Sequence, residues 1–213
     1  MALAIVTHLP GALGDALRTR WWRRRLAFMG EGVRIDTGVS FVNPEWVSLG
    51  DRTYVDKNVL ISAGPPHVGL RKVARRPTSG FSHREGEVVV GSCCHLSSQA
   101  VILGHGGVSI GDYVTVSTGA RVVSLSHHHR NLDDPADTFR YRFGSMAPEP
   151  EQALISAPVV IERNGAVGAN AVVLPGSVIA ADGWLGAGSV LSGSVAAAHI
   201  AAGAPARTLS VRA

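Results

Sequence analysis

The stretch Ser126-His127-His128-His129 is the part of this chain best equipped to do chemistry. Imidazole titrates near neutral pH, so a histidine can take a proton in one step and return it in the next. Three consecutive histidines cannot all face one metal ion from a regular strand, because neighbouring side chains point to opposite sides. Proton transfer therefore fits this cluster better than metal ligation. Cys93 and Cys94 are the other nucleophile candidates. They are adjacent, which excludes a disulfide framework and suits a reducing, cytoplasmic setting. Cys94 also falls where a small interior residue is needed, so packing accounts for it without catalysis.

The rest of the sequence must hold these side chains in place, and its composition already limits how. The chain has 213 residues, 46% hydrophobic and 17% charged, with 25 Gly and 6% aromatic residues. It can bury a core, and disorder is not expected. The first residues have an apolar stretch without a basic leader, so a secretory signal is not expected, nor is a membrane-spanning run. The net charge is +4. Its excess gathers in two segments, Arg18 to Arg25 and Arg71 to Arg84. Two such segments point to anionic ligands or a membrane surface. Neither carries a nucleic-acid reading motif, so a nucleic-acid partner is not expected.

The organising signal is a six-residue period. An aliphatic residue followed by a small or acidic one recurs at Ile35-Asp36, Val55-Asp56, Val90-Gly91, Leu96-Ser97, Ile110-Gly111, Val116-Ser117, Ile161-Glu162, Val167-Gly168, Ile179-Ala180 and Leu185-Gly186. Four places after the aliphatic residue the side chain is again small or β-branched, as at Val39, Cys94, Ala100, Val114, Ala120, Ala171 and Ser189. A period of six is neither helical nor simple alternation. It describes a short strand and a corner, repeated, so that stacked coils bury an aliphatic ladder no single coil could bury alone. Gly50-Asp51, Gly91-Ser92 and Gly111-Asp112 are expected to supply the corner conformations.

Two stretches break the period, residues 63–87 and 124–157. Loops that leave a rigid scaffold commonly carry function. The second opens on the histidine cluster and is expected to be functional. The first is basic and is read either as a binding loop or as a tolerated insertion. Residues 10–29 read as a helix, with Asp15 as N-cap and Gly30 as its stop. Leu13, Leu17, Trp21 and Phe28 form one stripe, and Trp22, Leu26 and Met29 another. Packing over the open end of the solenoid is the preferred role, with contact to an anionic membrane surface as the alternative. The expected division is a helical cap over 1–30, a solenoid over 31–209 and a tail over 210–213.

This pattern resembles the hexapeptide-repeat acyltransferases, over about residues 30 to 209. Val173-Leu174-Pro175-Gly176-Ser177-Val178-Ile179 is similar to that family's late coil, and Ala202-Gly203-Ala204-Pro205-Ala206-Arg207 to its C-terminal signature. The resemblance implies an all-β left-handed parallel β-helix and direct acetyl transfer from acetyl-CoA. It implies His127 as the general base, since His127 takes the sixth place of the hexapeptide that begins at Val122. His128 and His129 would orient it or line the acceptor pocket. Ser97 and His105 fall where the galactoside-acetyltransferase branch holds an Asn and an Asp facing the acceptor, and His95 at a neighbouring contact. His105 is also a second base candidate. Ala169, Ala187, Ser192, Gly193 and Arg207 fall at the family's CoA contacts. The resemblance further implies a homotrimer, no required metal, and an active site between neighbouring subunits.

The reading this supports is an acetyl-CoA-dependent O-acetyltransferase acting on a sugar hydroxyl in surface-polysaccharide biosynthesis. It would be cytoplasmic or peripheral at the inner membrane face, with a small-molecule or lipid-linked acceptor. An antibiotic or amino-sugar acetyltransferase is the near alternative. A metal lyase like the γ-class carbonic anhydrases needs three His ligands from adjacent coils, and its spaced pair of histidines five residues apart is missing here. A non-catalytic scaffold would not need His127.

Overall fold

The computed structural model describes residues 6–212, so Met1 to Ile5 of the expected cap and Ala213 of the expected tail lie outside the described residues. Each complete coil contributes one strand of two or three residues to each of three faces in turn, the strands within a face running parallel. The first face runs from Phe28–Met29 through Val47–Leu49, Val88–Val90, Val108–Ile110, Val159–Ile161 and Val178–Ile179 to Ser194–Val195. The second begins at Arg34–Ile35 and the third at Ser40–Val42. The aliphatic residue of each hexapeptide points inward. On the second face Ile35, Val55, Leu96, Val116, Val167 and Leu185 stand in register and are buried. Each such side chain stabilises the fold by ~1.5–3 kcal/mol relative to its exposed state.

The corners work differently from the sequence-based expectation. The left-handed backbone conformation falls on Arg52, Cys93 and Tyr113, with φ of 53°, 58° and 61°. It does not fall on Gly50, Gly91 or Gly111. Those glycines are required by stacking instead. A Cβ on Gly50 would lie 2.5 Å from the Gly91 carbonyl carbon, and one on Gly91 or Gly111 would lie 2.7 Å from a backbone nitrogen of the next coil.

The helix is shorter than predicted, Gly11–Arg23, with Pro10 and not Asp15 at its N-cap position. Asp15 lies inside it and pairs with Arg18. Phe28–Met29 opens the first face rather than ending the helix. Beyond the helix end Arg23 donates to the carbonyls of Met29 and Gly30, at 2.8 and 2.9 Å, across the turn into that strand. Its buried side is Gly14, Arg18 and Trp22. Trp22 packs on Phe41, ring centroids 4.7 Å apart. Of the two predicted stripes, Trp22, Leu26 and Met29 join the core, while Leu13 is 68% exposed and Phe28 57% exposed. Arg18 is a core residue: it is 1% exposed, and its guanidinium donates to the carbonyls of Ile35 and Leu9.

The two excursions are not plain loops. Strand Leu125–His128 pairs antiparallel with Ala153–Ser156, which pairs parallel with Lys72–Arg75. The three strands form a small sheet outside the prism. At the other end the chain turns back, and Ala206–Val211 pairs antiparallel with His199–Gly203. The last strand thus runs to Val211, into the stretch expected as a tail. No helix among the described residues is long and apolar enough to cross a membrane.

Candidate active site

Both excursions leave the third face and return on the first. Residues 63–87 join Leu60–Ser62 to Val88–Val90, and 124–157 join Arg121–Val123 to Val159–Ile161. Between them one coil turns the same corner through Gly104-His105-Gly106-Gly107. His105 therefore stands between the two excursions, and His127 lies on the small sheet they build. Both line one open cleft of about 390 Å3, together with Asn43, Arg71, Gln152 and Leu154.

The hydrogen bonds fix which nitrogen of each imidazole is bare. His105 Nδ1 lies 2.9 Å from the Gly64 carbonyl oxygen. A carbonyl only accepts, so Nδ1 carries the proton. His105 Nε2, 3.1 Å from Ser62 Oγ, is the acceptor of the neutral ring. His127 Nε2 lies 3.3 Å from Gln152 Oε1. The Gln152 amide has one orientation, because its nitrogen donates to the carbonyls of Ser145 and Ala147. Its oxygen also accepts from Arg71 Nε at 2.9 Å. His127 Nε2 is accordingly the N–H donor, and Nδ1 holds the lone pair. Arg71 is in turn held by Glu149 at 3.2 Å. A base oriented through its second nitrogen is the arrangement proton transfer needs.

The remaining predicted residues go elsewhere. His128 faces away from His127, as strand alternation requires. Its Nδ1 accepts the Arg130 N–H at 3.1 Å. The His129 ring stacks on His128 at 4.6 Å. Partial desolvation, then the charges of His128, Arg130 and Arg140, hold the His129 pKa below its ordinary value. Nearby, the hydrogen bond from Tyr141 to Asp137 comes first in pushing the phenol up to about 12.

His95 and Ser97 sit on the second face, away from this corner, so the structure divides the predicted acceptor set. His95 stacks on Tyr54 at 5.2 Å, and its Nε2 is 3.6 Å from Asp56. The Tyr54 hydroxyl donates to Asp36 at 2.8 Å, and burial together with the Asp36 and Asp56 carboxylates raises it to about 12. Burial works to raise Asp36 and Asp56, but hydrogen bonds outweigh it, from the Thr37 N–H and Tyr54 in one case and from the Lys57 N–H, Ser98 and Tyr54 in the other. Both carboxyls end below their ordinary value. Cys94 is 2% exposed, and its thiol is pushed up to about 11, first by burial. It is a packing residue.

The residues expected at CoA also divide. Ser192 and Gly193 turn from the third face to the first, on the same edge of the prism as the cleft. Ala169 and Ala187 turn from the second face to the third, where a Cβ on Gly168 would meet the Ala187 backbone. Arg207 pairs with Ala202 on the edge strand beside that second column. Among the described residues there is no group of three His, Cys, Asp or Glu side chains placed to hold a metal ion.

Sequence reasoning missed Ser62, Asn43, Arg71 and Gln152. Arg71 lay in the flagged basic segment, but Gln152 gave no signal by type or spacing.

No family model matches the chain. It is 23% identical, over 86% of its length and 81% of the other protein, to the dTDP-4-amino-4,6-dideoxy-D-glucose acyltransferase of Escherichia coli. Its fold is similar to that of AntD, an N-acyltransferase from Bacillus cereus crystallised with dTDP-4-amino-4,6-dideoxyglucose and coenzyme A. The TM-score is 0.72 at 19% identity, over 92% of this chain and 89% of AntD. The hexapeptide-repeat acetyltransferase VCA0836 from Vibrio cholerae, complexed with acetyl-CoA, has a TM-score of 0.59 at 19% identity, over 100% of this chain and 84% of that one.

Proposed function

We propose that this chain, a hexapeptide-repeat acyltransferase by sequence relation and fold, transfers an acyl group from a CoA thioester to the amine of a nucleotide-linked amino sugar. The observation that carries the reading is the cleft with His127 and His105, where His127 has Nε2 committed to Gln152 and Nδ1 left basic, while His105 is held through both nitrogens by Gly64 and Ser62. The E. coli acyltransferase of dTDP-4-amino-4,6-dideoxy-D-glucose and the B. cereus N-acyltransferase that binds the same sugar favour an amino sugar over the sugar hydroxyl expected from sequence. Transfer to a hydroxyl is the second reading. The two imidazoles favour it, because a hydroxyl needs a base at the moment of attack more than a neutral amine does.

His127 acts as the base. Its Nδ1 takes a proton from the acceptor as that atom bonds to the thioester carbonyl carbon. The carbon–sulfur bond then breaks, and the CoA thiolate leaves and takes the proton from the imidazolium. Such help is worth about 10²–10⁴ in rate. His105 binds the acceptor in the same cleft. The coil is the left-handed parallel β-helix of the family.

The assembly is a homotrimer. Ser192 and Gly193 share the cleft's edge, whereas Ala169, Ala187 and Arg207 share another, so one groove can use both sets only when a neighbouring solenoid brings its second edge to the first. Arg207 would then pair with a CoA phosphate. The reaction belongs to the cytoplasm, in surface-glycan biosynthesis. The exposed helix residues Leu13, Leu17 and Arg20 support peripheral contact with an anionic membrane. Release of free thiol from acetyl-CoA in the presence of dTDP-4-amino-4,6-dideoxyglucose, with the acylated sugar identified by mass, tests the reaction. Failure of every amino-sugar and sugar acceptor to raise thiol release above hydrolysis would end it.

A further inference from the structure

We propose that a second cavity beside the cleft receives the acyl chain of the thioester, and that the chain therefore prefers acyl groups longer than acetyl. The inference rests on the acyl-transfer reading above. The cavity holds about 300 Å3 and is walled by Pro77, Phe81, Pro158 and Gly106. It flanks the same turn as the cleft, since His105 lines one and Gly106 the other. The small sheet joins them further. Leu154 opposes His127 and Ser156 opposes Leu125, so these four side chains share one side of the sheet. His127 and Leu154 line the cleft, and Ser156 lines the cavity.

The charged groups around the cavity are paired with one another. Arg75 Nε donates to the Glu85 carboxylate at 2.9 Å, and the Ser156 hydroxyl donates to it at 2.7 Å. Arg76 is held by Asp133 at 2.7 Å and the Leu132 carbonyl at 3.0 Å. The charges are thus compensated within the protein. A phosphate there would meet the Glu85 and Asp133 carboxylates beside the two arginines, whereas a hydrocarbon tail needs only the apolar walls. Gly107 keeps the floor in place: its φ is 103°, and a Cβ there would run into the Phe81 ring.

Binding of non-hydrolysable thioethers tests the inference without an acceptor. CoA, S-ethyl-CoA and S-hexyl-CoA are titrated calorimetrically against the wild type, Phe81→Trp and Phe81→Leu. Four more methylenes in an apolar pocket predict S-hexyl-CoA on the order of a hundredfold tighter than S-ethyl-CoA in the wild type. Phe81→Leu keeps that preference. Phe81→Trp fills the cavity and brings the two affinities within about threefold, with S-ethyl-CoA unchanged. Equal wild-type affinities, or a preference that survives Phe81→Trp, overturn the acyl pocket alone. Loss of binding for all three compounds in the wild type overturns the acyl-transfer reading and the pocket together.

Discussion

Which nitrogen of His127 is bare depends on one buried amide. Gln152 is 1% exposed, and its oxygen serves both His127 and Arg71. Gln152→Leu removes that acceptor and leaves the Ser145 and Ala147 carbonyls without their donor. The Ser145 and Ala147 carbonyls are not buried and can turn to water, so the loss falls mainly on His127 and Arg71. We expect a lower midpoint in thermal unfolding and a lower kcat, with the thioester KM held. Unchanged kcat in a folded Gln152→Leu enzyme would show that the amide does not position the base. The Tyr54 cluster makes a pH prediction of its own. Asp36 and Asp56 have depressed folded-state pKa values, so their contribution to stability is complete above the ordinary carboxylate value of 3.8. It disappears as pH falls from there through the lower folded values. Tyr54→Phe removes hydrogen bonds to both carboxyls and should flatten that acid limb in Tm measured against pH. An identical limb in the variant would exclude Tyr54 as the cause.

At the scale of the elements, the ladder and the cap carry the stability. Leu96 is fully buried between Val55 and Val116 in the second face. Leu96→Ala should cost about 2–5 kcal/mol by denaturant unfolding, because the rigid coils cannot close on the cavity. A loss well below 1 kcal/mol would mean the coils do collapse. Arg18→Met keeps the apolar stem but gives up charge-assisted bonds to two carbonyls, for a loss of ~2–3 kcal/mol. A neutral outcome in the same assay would reduce Arg18 to a space filler. The ladder was legible because burial repeats with the hexapeptide, and Ile35 through Leu185 follow it without a slip. The expected helix end overshoots because Phe28 and Met29 also fit helical spacing, whereas their pairing with Ser48 and Leu49, distant in sequence, makes them a strand. Lys72–Arg75 and Ala153–Ser156 were not legible as strands: each is stabilised by a partner far away in sequence, and nothing local to either marks the pairing. Gln152 was hidden for the same reason. Its role comes from the fold of 124–157 around it and not from its neighbours in the chain.

The whole molecule turns a one-dimensional repeat into a prism with functional edges. Both excursions and the Gly104–Gly107 turn lie on one edge, which is why residues as distant as Arg71 and Gln152 meet. The residues expected at CoA occupy two edges, which the proposed trimer would bring together. Sedimentation equilibrium should give three times the monomer mass, and Arg207→Ala should weaken CoA binding without changing that mass. A monomer with full CoA affinity would contradict this assembly. The most direct test of the whole reading is kcat for transfer from acetyl-CoA to dTDP-4-amino-4,6-dideoxyglucose, with wild type, His127→Asn and His105→Asn compared at saturating substrates. A base at His127 predicts a fall of about 10²–10⁴ in kcat for His127→Asn, with acetyl-CoA KM preserved. His105→Asn should act mainly on acceptor KM. Wild-type turnover in a folded His127→Asn enzyme, or a larger kcat loss from His105→Asn, would contradict the assignment.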